Sequence, residues 1–356
     1  MIINGIMPDN ARAFLSAAEK PFMATINDVC KLAGVSKATV SRVLNNTGQV
    51  KPATAEAVYQ AMKTLGYKPN SLARALATNK TNTLGLVVSA FEGAYFSSLM
   101  RQASETTAKS GKQLLIMDGG HSQESECQAI NSLVEQRVDA IILYTRKMPP
   151  EQLKQMMQTL SVPLVVINQM VEGFEPQCIC FDQYKAACEA TEFLINSGHR
   201  KIACITGPED SVNSRLRLKG FHDTLDKHQL TATGFYHGNY FTQSGYLGCQ
   251  ALLDKQKPFT ALFTANDNMA MGAIRALHEH GRQVPGDISV MGFDNDPAGE
   301  FLIPSLTTVT LPVEAMAQAA IEQALLLVKD EKISPVDLFA GELIVRESVD
   351  QLQKPS

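Results

Sequence analysis

Two short helical patterns hinged on one glycine, T-I-N-D-V-C-K-L-A-G-V-S-K-A-T-V-S-R-V-L-N-N at residues 25 to 46, constrain this chain more than any other segment. Thr25 is a good N-cap, and Asp28, three positions on, stands where the acid of a capping box belongs. Val29, Leu32 and Ala33 give the first helix an apolar stripe. Gly34 stops it, because the sharp turn needs a positive φ that glycine adopts without steric cost. Ser36 caps a second helix in which Val40, Val43 and Leu44 face inward, leaving Lys37, Ala38, Thr39, Ser41, Arg42 and Asn45 outside.

That outer face is small, polar and basic. A helix that is merely solvated carries acids and bases in comparable numbers, yet no acid occurs from Lys31 to Pro52. Residues 23 to 82 hold eight Lys or Arg against two acids, a net +6; residues 1 to 22 balance and the whole chain is −4, so residues 83 to 356 carry −10. A basic head on an acidic body orients a protein towards nucleic acid. Helix N-termini and short hydroxyls suit phosphate, and Arg42 can fork to guanine N7 and O6.

At 356 residues the chain exceeds one ordinary core, and 45% apolar with 19% charged residues suits a globular class. No apolar run approaches the ~18 residues of a membrane span, so no membrane partner is expected. The seven cysteines (30, 127, 178, 180, 188, 204, 249) form no C-x-x-C pair and read as buried apolar residues in a reducing compartment, with no metal site and no cofactor. Residues 1 to 22 lack a secretory pattern; they read as an unstructured or unused extension, the alternative being a short helix from Asp9 to Lys20.

From Thr83 onward, apolar β-rich runs (84–88, 113–117, 140–144, 164–167, 178–181, 202–206, 261–264 and 288–293) alternate with amphipathic stretches such as Phe96 to Ser110 and Met269 to Gly281. This is repeated βα architecture with parallel sheets, in too many strands for one small sheet, which suggests two lobes.

The motif G-V-S-K-A-T-V-S-R-V-L-N resembles the helix-turn-helix of the LacI/GalR family of bacterial transcription regulators, and the similarity runs from Thr25 to about Val349. M-A-T-I-x-D-V, L-G-L-V-V, V-I-N-Q and G-F-D-N place it nearest the galactose and β-glucoside operon repressors. The resemblance implies an α plus α/β chain: a lambda-repressor-like headpiece and hinge, then a two-lobed periplasmic-binding-protein-like core with crossings near Phe181, Leu311 and Ala340. The expected divisions are 1–22 extension, 23–69 DNA-binding domain, 70–82 hinge helix and linker, 83–349 effector-binding and dimerisation domain, and 350–356 tail. Thr25, Ser36, Thr39, Asn45 and Tyr67 would then hold the DNA backbone, while Lys37, Ala38 and Arg42 enter the major groove; Ser41, Asn70 and Arg74 belong to the same contact set. A third helix is expected from Pro52 to Leu65, ended by Gly66. Lys51 departs from the family, which usually has Ser there as the cap. Residues 70 to 77 are too few for a stable helix alone, so the hinge is expected to fold on DNA with Leu76 as a minor-groove wedge.

Ligands of parallel α/β folds bind at the carboxyl ends of strands. Ser89, Phe96, Asn168, Arg217, Asn266, Asp267 and Asp294 stand at or beyond such ends, and Tyr240 stands near an aromatic of the family's lid. Amide, carboxylate and guanidinium groups hold adjacent sugar hydroxyls, and an aromatic such as Phe96 or Tyr240 covers the C–H face. The alternative for Arg217 and Asp294 is an interlobe structural ion pair. Arg215 and Arg217 share a face poorly, and Arg217 is the one expected in the cleft. His121, His199 and His222 have no metal-ligand spacing and read as surface or helix-end residues.

The expected partners are therefore double-stranded operator DNA, a small sugar effector and a second copy of the chain, in the cytoplasm. The tail is too short for a leucine-heptad tetramer, so a homodimer is expected on a pseudo-palindromic operator. Competing readings are a sugar-acting enzyme or binding protein sharing the core, and a purine-dependent regulator. No G-x-S-x-G, P-loop or paired Cys supports catalysis.

Overall fold

The computed structural model describes residues 24–45, 48–67, 81–120, 122–255 and 257–352. The chain divides between residues 79 and 80 into two compact units. The positions expected to form the extension (1 to 22) and the hinge contacts (Asn70, Arg74, Leu76) lie outside the described residues, as do His121 and the side chain of Asn45.

The first unit holds α1 (Ile26–Ala33), α2 (Lys37–Asn45) and α3 (Pro52–Leu65). Asp28 accepts from the Thr25 N–H at 2.9 Å and from its hydroxyl at 2.7 Å, which starts α1 and lowers the Asp28 carboxyl below its ordinary range. Gly34 ends it at φ 66°, where Val35 N–H reaches the Cys30 carbonyl at 3.1 Å. Val29, Val40, Val43, Val58 and Ala61 fill the core between the helices. Leu32 corrects the expected stripe: it is 53% exposed. Ile26, Val29, Cys30 and Ala33 pack on this core, and at 3.6 residues per turn Leu32 falls roughly 100° away from the middle of that face. Lys51 gives α3 no side-chain cap, while Pro52 occupies the first helical turn and Gly66 closes the end at φ 61°.

The second unit begins with an all-parallel sheet of β1 (Thr83–Val88), β2 (Gln113–Asp118), β3 (Ala140–Tyr144), β4 (Leu164–Ile167) and β5 (Cys178–Ile179), in the order β2-β1-β3-β4-β5. Helices α4 (Ala94–Lys109), α5 (Gln123–Glu135) and α6 (Pro150–Thr159) link its strands. A second parallel sheet, ordered β7-β6-β8-β9, contains β6 (Ile202–Thr206), β7 (Gly234–His237), β8 (Ala261–Thr264) and β9 (Ser289–Met291). Its helices are α7 (Gln183–Asn196), α8 (Val212–Lys227), α9 (Thr242–Asp254) and α10 (Asp267–Glu279). β10 (Thr308–Val309) pairs antiparallel with β11 (Leu343–Ile344), and α11 (Val313–Val328) returns to pack on α4 and the first sheet.

Three segments pass between the lobes side by side: Phe339 N–H bonds the Cys180 carbonyl at 2.9 Å, Asp182 N–H bonds the Phe339 carbonyl at 2.9 Å, and Thr310 N–H bonds the Glu342 carbonyl at 2.8 Å. Both sheets are buried on two faces, so their central strands read as unbroken apolar runs. β7 escapes that pattern because it is an edge strand whose Phe235 is 48% exposed. α9 and α10 cross without room for side chains: a Cβ on Gly245 would overlap the Met269 backbone, and one on Gly272 the Thr242 carbonyl. His199 is a further correction, for it ends a helix but is buried, with Nδ1 3.0 Å from the Thr260 hydroxyl. None of the described helices is long and apolar enough to cross a membrane.

Candidate functional site

In the first unit, burial of Val40 and Val43 rolls α2 so that Lys37, Ala38, Ser41 and Arg42 are exposed together, with Thr39 half-buried beside them. Ser36 accepts the Thr39 N–H at 3.2 Å, and the two hydroxyls lie 3.0 Å apart. Tyr67 is half-buried against the same core, its N–H on the Met62 carbonyl at 2.9 Å. Exposed short side chains at the start of a helix, with two cations and no acid among them, can approach a phosphate backbone and the base edges beside it.

In the second unit, a cleft of about 1000 Å³ opens between the two sheets, and a small chamber of about 30 Å³ lies beneath it. Ser89, Phe96, Tyr240, Asn266 and Asp294 line the cleft; Asn168 and Arg217 line the chamber together with Tyr240, Asn266 and Asp294. These seven expected positions thus converge, and Asp267 also lines the cleft.

Their individual contacts refine the expected roles. Arg217 is buried and its Nη2 lies 3.3 Å from Asp294 Oδ1; its Nε donates to Gln183 Oε1 at 2.7 Å and its Nη1 to the Ala265 carbonyl. The guanidinium rests 3.8 Å from the Phe293 ring centre. Arg217 and Asp294 extend from α8 and from the turn after β9, so they belong to one lobe and do not bridge two. Burial raises the Asp294 carboxyl, against the pull of Arg217 and Arg146. Arg215 is exposed. Asn266 accepts the Met269 N–H at 3.0 Å and donates to the Tyr240 carbonyl at 2.9 Å, so it caps α10 and holds the aromatic as well as facing the cleft. Asn168, at φ 84°, accepts from Asn213 of the other lobe. The Ser89 hydroxyl reaches the Tyr144 carbonyl at 3.5 Å.

The sequence reading missed the aromatic box. Phe96 meets Tyr95 and Tyr144 edge to face at 5.3 and 5.0 Å, and the Arg146 guanidinium sits 5.1 Å from the Phe96 ring and 5.1 Å from the Tyr240 ring across the cleft. Buried Glu126 fixes the loop that carries Arg146, accepting from the Thr145 hydroxyl at 2.7 Å and the Arg146 N–H at 3.4 Å. At the mouth, Lys147 Nζ lies 2.6 Å from Asp210 of the opposite lobe. The signal was present: Tyr144, Thr145 and Arg146 end or follow the run A-I-I-L-Y, which is itself a strand's carboxyl end.

The family model for bacterial regulatory proteins, lacI family, matches residues 25–70, and that for a periplasmic binding protein-like domain matches residues 191–349. The HTH-type transcriptional regulator AscG of Escherichia coli K12 is 39% identical over 331 residues, 92% of this chain and 98% of that protein. This chain belongs to the lacI family of bacterial regulatory proteins. GalR of Escherichia coli K12, another HTH-type transcriptional regulator of the family, is 36% identical over 92% of this chain and 96% of its own length. A lac repressor dimer bound to operator and the anti-inducer ONPF superposes with a TM-score of 0.85 at 29% identity, covering 92% of this chain and 99% of that one. The lacI-family member described here therefore has the helix-turn-helix and the parallel α/β core of a transcription regulator, as its sequence predicts.

Proposed function

We propose that the chain represses a carbohydrate-utilisation operon: a homodimer holds a pseudo-palindromic operator, and a small sugar in the cleft releases it. The observation that carries the ligand half is the floor of the cleft, where the Asp294 carboxylate and Asn266 amide stand among the aromatic faces of Phe96 and Tyr240. Paired polar groups beside flat apolar ones match a sugar, which presents hydroxyls on its rim and C–H groups on its face. The exposed, acid-free side of α2 supports the DNA half, with Lys37, Ala38 and Arg42 at base edges and Thr25, Ser36, Thr39, Ser41, Asn45 and Tyr67 along the backbone. Phe301 and Ile303, 82% and 96% exposed on one loop, supply apolar area that a second copy can cover. The protein acts by binding, at the nucleoid in the cytoplasm.

The test is operator selection from genomic fragments, then gel shifts with added galactose, cellobiose, salicin, glucose 6-phosphate and hypoxanthine. Release by a neutral sugar is the expected result. Release by hypoxanthine alone, or no retained fragment, would overturn the reading. Sedimentation of the full chain is expected to give a dimer.

A further inference from the structure

Asp294 and Asn295 are consecutive non-glycine residues at φ 108° and 55°, a backbone that side-chain-bearing residues seldom adopt. Such a turn persists only where its surroundings over-determine it. They do so here in the wall of the cleft. Asp267 Oδ2 accepts the Asp296 N–H at 2.6 Å, and Asp267 Oδ1 accepts the Thr308 hydroxyl at 2.7 Å. The same Thr308 oxygen lies 3.3 Å from the Asn295 N–H, and Arg346 Nη2 donates to Asn295 Oδ1 at 3.0 Å. Asp294 N–H bonds the Val309 carbonyl at 2.8 Å. Asp267 and Thr308 are 1% and 0% exposed, which closes this bracket to water.

We infer that Asp267 and Thr308 are positioning residues for the effector: they lock the Asp294–Asn295–Asp296 turn and so fix where the Asp294 carboxylate meets a ligand. Thr308 lies on β10, which leads through Leu311 between the lobes into α11. The bracket therefore ties the ligand-facing turn to the segment that any lobe movement must displace. The claim rests on the ligand reading above only for the sugar used as probe.

Two measurements on the full chain test it. In a crystal structure of Thr308→Val, without ligand, the Asp294 turn is expected to leave its φ region and lose Arg217; an unchanged turn with that contact intact would overturn the inference. In calorimetric titrations with cellobiose and galactose, Thr308→Val and Asp267→Ala are expected to bind roughly 10- to 100-fold more weakly than wild type, the cost of a broken buried hydrogen bond. Asp267→Asn, which can still accept from Asp296 and pair with Thr308, should recover most of the loss. Affinity of the wild type should also decline as pH passes about 8, where Asp267 ionises facing Asp294, which carries Arg217, and Asp296, next to Asn295, which carries Arg346, whereas Asp267→Asn should be flat. Wild-type affinity in Thr308→Val and Asp267→Ala would overturn the inference. If neither sugar binds wild type, the carbohydrate reading falls and the crystal structure alone decides the bracket.

Discussion

Arg217 joins Asp294 at 3.3 Å within a single lobe, and its guanidinium also donates to Gln183 and to the Ala265 carbonyl. Arg217→Ala would leave the half-buried Asp294 carboxyl and the Gln183 and Ala265 acceptors without their donor, a loss of about 1 to 3 kcal/mol. Lysine cannot reproduce the fork, so Arg217→Lys should recover little of it. Urea unfolding of the variants checks both.

The α9–α10 crossing makes a sharper stability prediction. Gly272→Ala forces a Cβ into the Thr242 carbonyl, where backbone and not a mobile side chain must give way. Overpacking of this kind costs about 1 to 3 kcal/mol or more. The thermal midpoint should fall, while DNA affinity of the folded fraction stays unchanged.

Burial pushes the Asp267 carboxyl up to about 8 from an ordinary 3.8, with the Asp294 and Asp296 carboxylates adding to the rise and the Thr308 and Asp296 bonds opposing it. Between those values the folded chain keeps a proton that the unfolded chain has released, so unfolding free energy falls as pH rises. The decline should run from about pH 4 to pH 8 and level off above. Asp267→Asn should remove this component, read as a smaller pH dependence of the urea midpoint.

Charge in the cleft argues against an anionic effector. Glu92, Asp118, Asp210, Asp294, Asp296 and Glu314 line it against Arg146 and Lys147, and Lys147 is already paired with Asp210. Sugar 6-phosphates should bind at least about tenfold more weakly than the matching free sugar, because a cleft lined mostly by acids repels a ligand of that sign. Thermal-shift titration of glucose against glucose 6-phosphate measures the difference.

On the DNA side, Arg42→Ala should cost about 1 to 3 kcal/mol at one guanine and relax the sequence preference there. Lys37→Ala at a phosphate would instead weaken all sequences alike and reduce the salt slope by about one. Gel shifts at two salt concentrations on operator and scrambled DNA separate the two outcomes.

Much of this was legible because period and punctuation agree. Gly34 and Gly66 stop helices where the left-handed turns fall, and the central strands are apolar runs because both faces of each sheet are covered. Leu32 was misplaced because apolar character does not reveal rotation about a short helix. Tyr95, Tyr144 and Arg146 escaped for another reason: Tyr95 on α4 meets Tyr144 at the end of β3, and Arg146 meets Tyr240, pairings between segments distant in sequence. Asp267 was visible beside Asn266, but nothing in N-D-N-M announces that its carboxyl is buried in the wall of the site.

The Lys147–Asp210 contact at the mouth also bears on kinetics. A guest entering there must trade an existing attraction between the lobes for its own hydrogen bonds, so the threshold discriminates before the floor does. Added salt, by loosening that contact, should speed entry even where it leaves the final affinity of an uncharged guest almost untouched.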